Sequence, residues 1–261
     1  MLEKSTGKLL LDIGNSRVKW GMLDEQGKIS AVASHSRLRD GIQKIAENCW
    51  SDLSPTRVIV SNVAGNSIAS ELREWIQERW RVKVEFLIPQ TCAHGVVNAY
   101  CDPSRLGSDR WAALLGAARR QHGHLCVVDC GTAVTMDALS ADNIHLGGLI
   151  IPGLGLMRDS LITSTAGVRH TWGAEAAILA RDTGSAVAGG TLYAVIALID
   201  RVVADLAVEL SEEVTVLITG GDGALMAPLL ACHVEYQADL VLHGLAVIGN
   251  FPSEMQAINQ V

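Results

Sequence analysis

Leu9 to Trp20 reads LLLDIGNSRVKW, a hydrophobic run that stops at Asp12 and turns through Gly14 and Asn15. Three consecutive leucines without polar alternation indicate a strand that is covered on both faces. The glycine permits a tight backbone path into a second strand. Asp12 is therefore expected at the end of a buried strand, facing a turn.

The residue types in this turn suit a nucleotide phosphate. Backbone N–H groups, the Asn15 amide, the Ser16 hydroxyl and Lys19 can bind an anion, while the Asp12 carboxylate can hold a hydrated divalent cation beside it. A single motif of this kind also occurs in ordinary hairpins, so that interpretation competes with a phosphate site.

A second copy of the motif favours the phosphate site. Leu125 to Ser140 reads LCVVDCGTAVTMDALS, in which an apolar run is followed by Asp129, Gly131 and Thr132 and then by an alternating apolar segment. The two aspartates, at positions 12 and 129, are 117 residues apart, which is a little under half of the 261-residue chain. A duplicated fold with one phosphate turn in each half is the economical explanation.

Composition and charge narrow the class of protein. The chain is 49% hydrophobic but only 4% aromatic, which is typical of an α/β protein with an aliphatic core. The net charge of −7 and the lack of a basic run argue against a nucleic-acid partner. We expect no membrane helix and no signal peptide. Six scattered cysteines without a C-x-x-C motif favour reduced thiols and a cytoplasmic location.

The order of predicted elements is similar in the two parts of the chain. The first part has three strands between about 9 and 36, a helix over 38–50, and then strand, helix and strand to about 89, as in a ribonuclease-H-like half. The second part has strands at 125–129, 133–139 and 144–151, a long helix over 185–210, a strand over 214–219, and helices over 224–231 and 239–249. We therefore predict an α/β fold of two ribonuclease-H-like halves, 1–121 and 122–261, with a cleft between them.

Four further features of the sequence bear on the fold and the site. A helix begins near Ser108 or Asp109 and runs to Arg120, and helix capping by itself is a sufficient explanation for Asp109. The TGGDG turn at 219–223 lets the backbone approach adenine or ribose, although a bare turn is an equal competitor. Walker and dinucleotide-binding glycine motifs are absent from the sequence. For Cys126 and Cys130, packing in a strand is favoured over metal binding.

Taken together, these motifs resemble the acetate and sugar kinase, heat-shock cognate and actin superfamily, and within it the type III pantothenate kinases. The matching blocks cover nearly the whole chain: DIGNSRVK (12–19), GSDR (107–110), DCGTA (129–133), GGLIIPGLGLM (147–157), DTGSAVAGG (182–190), TGGDG (219–223) and DLVLHGL (239–245). Ser108 departs from the family, which more often has alanine there. This change should disturb little, because the neighbouring carboxylate and guanidinium are kept.

The resemblance implies a duplicated actin-like ATPase fold and ATP-dependent phosphorylation of the primary hydroxyl of pantothenate to 4′-phosphopantothenate, the first step of coenzyme A biosynthesis. It implies Mg²⁺ with ATP, a monovalent cation (K⁺ or NH₄⁺), and a homodimer with the substrate pocket near the subunit interface. The positions that match ATP-binding residues are Asp12, Ile13, Gly14, Asn15, Ser16, Arg17, Val18, Lys19 and Thr132. Those that match pantothenate contacts are Tyr100, Gly107, Ser108, Asp109, Arg110 and Thr183. Asp109 matches the catalytic proton acceptor, and Asp129 matches the ligand of the monovalent cation.

The chemistry of these residues agrees with the roles that the resemblance implies. Asp109 lies outside both phosphate turns, so it can accept the alcohol proton while Asp12 and Asp129 serve cations. Arg110 suits an anionic or amide-rich substrate through forked hydrogen bonds. Two alternatives stay open: a kinase of the same superfamily that acts on a sugar or acetate, and a non-catalytic nucleotide-binding member.

Overall fold

The computed structural model describes residues 7–120, 123–168 and 175–251. Contacts among them divide the chain into two compact units. The first contains the described residues of Met1–Gln121 and Leu240–Val261, and the second those of His122–Asp239.

The secondary structure alternates between strands and helices. The strands are β1 (Lys8–Ile13), β2 (Arg17–Leu23), β3 (Ile29–Ser36), β4 (Arg57–Asn62), β5 (Val84–Phe86), β6 (Cys92–Ala93), β7 (Val96–Val97), β8 (His124–Cys130), β9 (Ala133–Leu139), β10 (His145–Pro152), β11 (Val214–Thr219) and β12 (Val234–Tyr236). The α-helices are α1 (Ile42–Trp50), α2 (Asn66–Trp80), α3 (Ser108–Ala118), α4 (Leu154–Ser164), α5 (Thr183–Leu210), α6 (Gly223–Met226) and α7 (Leu240–Gly249). Pro103–Arg105 and Ala227–Leu229 form 3₁₀ turns.

Each unit contains a five-stranded mixed sheet, and the two sheets have the same strand order. The order is β3-β2-β1-β4-β5 in the first unit and β10-β9-β8-β11-β12 in the second. In both, the first three strands along the chain are antiparallel neighbours and the other two run parallel to the first. Asp12 lies in register with Ser61 on β4, and Asp129 with Thr219 on β11. The prediction of an α/β fold with a duplicated ribonuclease-H-like plan is confirmed.

Helices cover both faces of β1, as its unbroken apolar run predicts. Leu9, Leu10 and Leu11 are fully buried. Leu9 and Leu11 pack in one core with residues of α1 and α2, among them Trp50. On the other face, Leu10 lies near Gly249 at the end of α7, where an added Cβ would be 3.8 Å from the leucine Cδ2. A strand buried on both faces cannot be shifted by one residue without exposing leucine or burying Asp12.

The closing helix is the main correction to the predicted domains. The sequence places 239–249 in the second half, but the structure groups α7 with the first unit, where it packs against α3, β1 and β4. Two glycines make this packing close: an added Cβ on Gly116 of α3 would lie 2.7 Å from the Leu240 carbonyl oxygen, and one on Gly244 would overlap the Ala112 carbonyl. Backbones in such contact leave no space for a side chain.

Local differences from the predicted elements have local causes. The helix predicted over 38–50 begins at Ile42, after Gly41 as its N-cap. The helix predicted over 224–231 is a single turn, α6, followed by a 3₁₀ turn that contains Pro228. Proline lacks the N–H that continued helical hydrogen bonding requires.

The core of the second unit forms between its sheet and α5. Cys126, Val128 and Cys130 on β8 pack with Val195 and Ile199 of α5. The two cysteines therefore fill apolar core positions. Although α5 has 28 residues, none of the described helices combines the length and apolar character needed to cross a membrane.

Candidate active site

The first predicted phosphate turn joins β1 to β2. Asp12 at the end of β1 is opposite Lys19 on β2. The Gly14 N–H donates to the Arg17 carbonyl over 2.9 Å and closes the turn. Both the acid and the lysine are half-buried, so their charged groups are only partly exposed to solvent.

Arg37, which directly follows β3, braces this turn from one side. Its Nε donates to the Gly14 carbonyl over 3.2 Å and its Nη2 to the Asn15 carbonyl over 2.6 Å. Its backbone N–H donates to the Ser16 carbonyl over 2.9 Å. One residue thus binds three consecutive carbonyls of the turn.

The second predicted phosphate turn, between β8 and β9, is braced by a backbone group. The Gly131 N–H donates to the Ala133 carbonyl over 3.0 Å, and the Thr132 carbonyl accepts from the Gly153 N–H over 2.9 Å. A Cβ on Gly153 would overlap the Gly131 carbonyl and lie 2.8 Å from the Thr132 carbonyl oxygen. Glycine at 153 therefore allows the start of α4 to touch this turn.

The TGGDG segment packs directly on Asp129. Gly220 has a φ of +90°, and an added Cβ would lie 2.5 Å from the Asp129 Oδ1 and 2.5 Å from the Cys130 carbonyl oxygen. The Asp222 N–H donates to that same carbonyl over 3.0 Å. Burial, reinforced by the nearby Asp129 and Asp222 carboxylates, raises the pKa of the Cys130 thiol to about 12. The thiol is therefore neutral at physiological pH.

Gly107 and Asp109 form the start of α3. The Asp109 Oδ1 accepts from the Arg110 N–H over 2.8 Å, which fixes one carboxylate oxygen at the helix N-terminus. A Cβ on Gly107 would lie 2.5 Å from that same oxygen. The glycine thus leaves the space that the carboxylate occupies. The N-cap of α3 is Gly107, and α3 has no side-chain cap hydrogen bond, so the prediction that Ser108 or Asp109 caps this helix is wrong. The Asp109 carboxylate is chemically suited to accept a proton.

Arg110 and Tyr100 form a polar pair beside Asp109. The Arg110 Nη1 donates to the Tyr100 hydroxyl over 2.9 Å, and the guanidinium carbon lies 5.7 Å from the ring centroid. Arg110 is only 6% exposed, so its geometry is fixed by packing. Tyr100 is positioned in turn by Asn98, whose Oδ1 accepts the Tyr100 N–H over 3.0 Å.

Ser108 connects this segment to the sheet. Its hydroxyl oxygen accepts from the Asn62 N–H over 3.0 Å and lies 3.1 Å from the Ser61 hydroxyl. Ser61 is beside Asp12 on the neighbouring parallel strand, where adjacent strands are about 4.8 Å apart. Asp109 and Asp12 therefore belong to the same end of the first sheet.

The predicted site residues thus fall into two groups. The first unit brings together Asp12 to Lys19, Tyr100 and Gly107 to Arg110. The second unit contains Asp129 and Thr132, and also Thr183, which is exposed at the start of α5 and lines a groove of about 580 Å³ beside α4.

Several residues that hold the site were missed from the sequence. They are Arg37, Ser61 and Gly153. Ser61 is the last residue but one of β4, as Asp12 is of β1, so alignment of the two strand ends contains a signal for it. Gly153 lies within a quoted block, but its contact with the turn required the fold. We found no sequence signal for Arg37.

Comparison with known proteins gives consistent matches. The family model for type III pantothenate kinases matches residues 8–205. A type III pantothenate kinase from Nitrosococcus oceani is 43% identical over 255 residues, covering 95% of this chain and 96% of the relative. One from Paracidovorax citrulli is 36% identical over 247 residues, covering 92% and 96%.

Solved structures of more distant proteins share the fold. A ROK family glucokinase from Streptomyces griseus, in complex with glucose and AMPPNP, matches with a TM-score of 0.54 at 13% identity, covering 93% of this chain and 98% of that one. The activator of the 2-hydroxyisocaproyl-CoA dehydratase from Clostridium difficile, with bound ADPNP, matches with a TM-score of 0.53 at 12% identity and covers 97% of each chain. At such identities the similarity supports the fold alone.

Proposed function

This chain belongs to the type III pantothenate kinase family, and we propose that it transfers the γ-phosphoryl group of ATP to the primary hydroxyl of pantothenate. The products are 4′-phosphopantothenate and ADP, in the first step of coenzyme A biosynthesis. The structural observation that carries the proposal is the position of Asp109, with Arg110 and Tyr100, at the same sheet end as the Asp12 turn. An acid, a substrate-binding pair and a phosphate turn are the parts that an alcohol kinase needs.

In this proposal, Asp12 to Lys19 and Thr132 bind the phosphates of ATP. Phosphoryl transfer requires positioning and charge neutralisation more than covalent help, so backbone N–H groups and the Lys19 ammonium supply most of what is needed. Asp12 fits a Mg²⁺ ligand, because this ion usually takes one or two carboxylates and completes its shell with phosphate and water. When bound, Mg²⁺ neutralises phosphate charge.

We assign the proton-accepting role to Asp109. The Arg110 N–H holds one carboxylate oxygen, which fixes the orientation of the group that takes the hydroxyl proton. The Arg110 guanidinium and the Tyr100 hydroxyl can bind the carboxylate or amide of pantothenate. Gly107, Ser108 and Thr183 complete the proposed substrate contacts.

Asp129 is the proposed ligand of a monovalent cation. Its carboxylate is half-buried and lies against the Gly220 backbone, and hard oxygen ligands of this type suit K⁺ or NH₄⁺. Such a cation adds positive charge near the phosphates. We expect activity to rise with potassium and to be absent with sodium alone, and equal rates in both salts would contradict this assignment.

A homodimer and a cytoplasmic location belong to the same proposal. Support for the dimer comes from large apolar side chains exposed on β10 and α4, including Leu149, Ile150 and Leu156. A dimer of two 27.8 kDa chains is checked by light scattering, and a monomeric mass at micromolar concentration would contradict it. The six cysteines are free thiols in the structure, which agrees with a reducing compartment.

A coupled ADP-release assay tests the proposed reaction. Purified protein is given Mg·ATP and potassium with pantothenate, or with acetate, glucose and other sugars in parallel. We expect ADP release with pantothenate alone among these acceptors, and mass spectrometry should identify 4′-phosphopantothenate. Turnover with a sugar and none with pantothenate would favour another kinase of the superfamily. ATP binding without turnover of any acceptor would favour a non-catalytic member.

A further inference from the structure

We propose that Arg37 is a positioning residue for the ATP phosphates. From the end of β3 it holds the carbonyls of the first turn on one side, so that the N–H groups of Asn15, Ser16 and Arg17 face the other side as an anion site. This inference rests on the proposed function, because it specifies how the turn between β1 and β2 binds a phosphate group.

Three hydrogen bonds from Arg37 define the orientation of the turn. The guanidinium binds the carbonyls of Gly14 and Asn15, over 3.2 and 2.6 Å. The backbone N–H of Arg37 binds the Ser16 carbonyl over 2.9 Å. The three acceptors are consecutive, so the three peptide planes are oriented together.

The planarity of the peptide bond turns this orientation into a prediction about the donors. In a trans peptide the carbonyl of one residue and the N–H of the next point in opposite directions. The described peptide bonds contain no cis case. Because the carbonyls of Gly14, Asn15 and Ser16 face Arg37, the N–H groups of the residues that follow them face away from it. Successive N–H groups on one side of a turn are the donors that bind anions at many phosphate sites.

The charge of Arg37 strengthens the same arrangement. A guanidinium remains protonated at all physiological pH values, so the turn has a full positive charge on its carbonyl side. The positive charge on the carbonyl side of the turn also attracts an anion that binds on the N–H side. The second turn differs, since the backbone N–H of Gly153 holds its Thr132 carbonyl without a formal charge. We therefore expect the first turn to depend more strongly on a single side chain.

The test compares Arg37→Met with the control Arg39→Met. Arg39 is exposed two residues along the chain, so its replacement removes the same charge from the protein. Calorimetry measures the Kd of Mg·ATP and of adenosine, and steady-state kinetics measure kcat and both KM values. Arg37→Lys is a third variant, because lysine keeps the charge but cannot bind two carbonyls in a fork.

We expect Arg37→Met to weaken Mg·ATP binding about tenfold to a hundredfold, since it removes two charge-assisted hydrogen bonds that orient the donors. Adenosine binding and the KM for pantothenate should change less than about twofold, and Arg37→Lys should lie between Arg37→Met and wild type. Arg39→Met should match wild type. If Arg37→Met does not fold, the lysine variant decides the test by the same criteria.

Three results would overturn the inference. The first is that both Arg37 variants bind ATP with wild-type affinity. The second is that the variants lose affinity equally for ATP, adenosine and pantothenate and also have a lowered Tm. The third is that the wild-type protein does not bind ATP. The proposed function fails separately, if the wild type binds ATP but does not phosphorylate pantothenate. In that case the calorimetric comparison of the Arg37 variants still tests the phosphate site.

Discussion

Replacing Gly220 by alanine should damage the second unit at the point where two of its segments touch. Gly220 has a φ of +90°, a conformation that residues with a Cβ rarely adopt. The new methyl group would lie 2.5 Å from each of three atoms: the Asp129 Oδ1, and the Cys130 nitrogen and carbonyl oxygen. Two of these are backbone atoms, so rotation of a side chain cannot relieve the overlap.

The expected loss of folding free energy in Gly220→Ala has two contributions. A left-handed conformation costs an L-residue about 1–2 kcal/mol. Overpacking against fixed neighbours adds about 1–3 kcal/mol. The sum of about 2–5 kcal/mol is a large share of the roughly 5–15 kcal/mol by which a typical domain is stable. At roughly 2–4 °C per kcal/mol, the Tm should fall by about 5–20 °C.

The adjacent Gly221 provides a matched control for the same chemical change. An added Cβ there meets no atom within 4 Å, and Gly221 does not have the positive φ of its neighbour. Gly221→Ala should therefore change stability by less than about 1 kcal/mol, and in the stabilising direction where alanine restricts the unfolded chain. Scanning calorimetry of both variants measures the difference. Equal Tm values for the two variants would refute the reasoning.

Three further predictions concern the acid, an ion pair and the thiols. Asp109→Asn should lower kcat about 10²- to 10⁴-fold with a nearly unchanged KM for ATP, and wild-type turnover in the ADP-release assay would exclude the proposed base. Arg57→Met should lower the free energy of unfolding by about 2 kcal/mol. The Arg57 guanidinium donates to both carboxylate oxygens of Glu85 on β5, and also to the carbonyls of Gly249 and Phe251 at the end of α7. The control is Arg201→Met, which breaks the exposed ion pair between Arg201 and Asp205. Urea titration should show that this control lowers the free energy of unfolding by less than about 1 kcal/mol. Burial raises the pKa values of Cys126 and Cys130 to about 12, so at pH 8 only about 10⁻⁴ of each thiol is ionised, and iodoacetamide should label them after unfolding but not before. Rapid labelling of either cysteine in the native protein, measured by peptide mass spectrometry, would contradict the assigned burial.

Much of the fold could be predicted because its signals are local. The leucines of β1 specify a strand buried on both faces, and Asp12 with Gly14 specifies where the strand stops. The same local pattern recurs at Asp129, and the strand predicted over 133–139 has the observed bounds of β9. Alternation of strands with helices then restricts the sheet to few topologies.

The place of the last helix could not be predicted in the same way. Its apolar residues indicate that α7 is buried, and they do not indicate which sheet it covers. That choice depends on the close contact of Gly244 with Ala112, which is more than a hundred residues away in the chain. Sequence order favours packing of α7 on the sheet that precedes it in the chain, which is that of the second unit. In the structure α7 instead packs against α3 and the sheet of the first unit.

In the candidate site, too, some residues could be predicted from the sequence and others could not. The predicted residues Asp12, Thr132 and Asp109 are in motifs that repeat or stand at element ends, where reactive groups are recognisable from their neighbours. The residues that hold them come from other elements, and each uses a different chemical group: the Arg37 guanidinium, the Gly153 N–H and the Ser61 hydroxyl. A bracing contact of this kind requires an atom at the right place, and many residue types can provide one. Sequence patterns therefore identify the groups proposed to contact ligand better than the groups that orient them.

Ser108 is a residue whose structural role is visible only from its contacts. In the sequence it is a small departure from the family motif, and a hydroxyl in place of a methyl is expected to disturb little. In the structure its hydroxyl binds the Asn62 N–H and approaches Ser61, next to Asp12 on the sheet. The contact with Ser61 is buried and the contact with Asn62 is partly buried. The start of α3 is therefore tied to the end of β4 by two polar groups that would lose a hydrogen-bond partner if alanine replaced the serine. The orientation of Asp109, one residue further on, thus depends on a hydroxyl that the motif itself does not require.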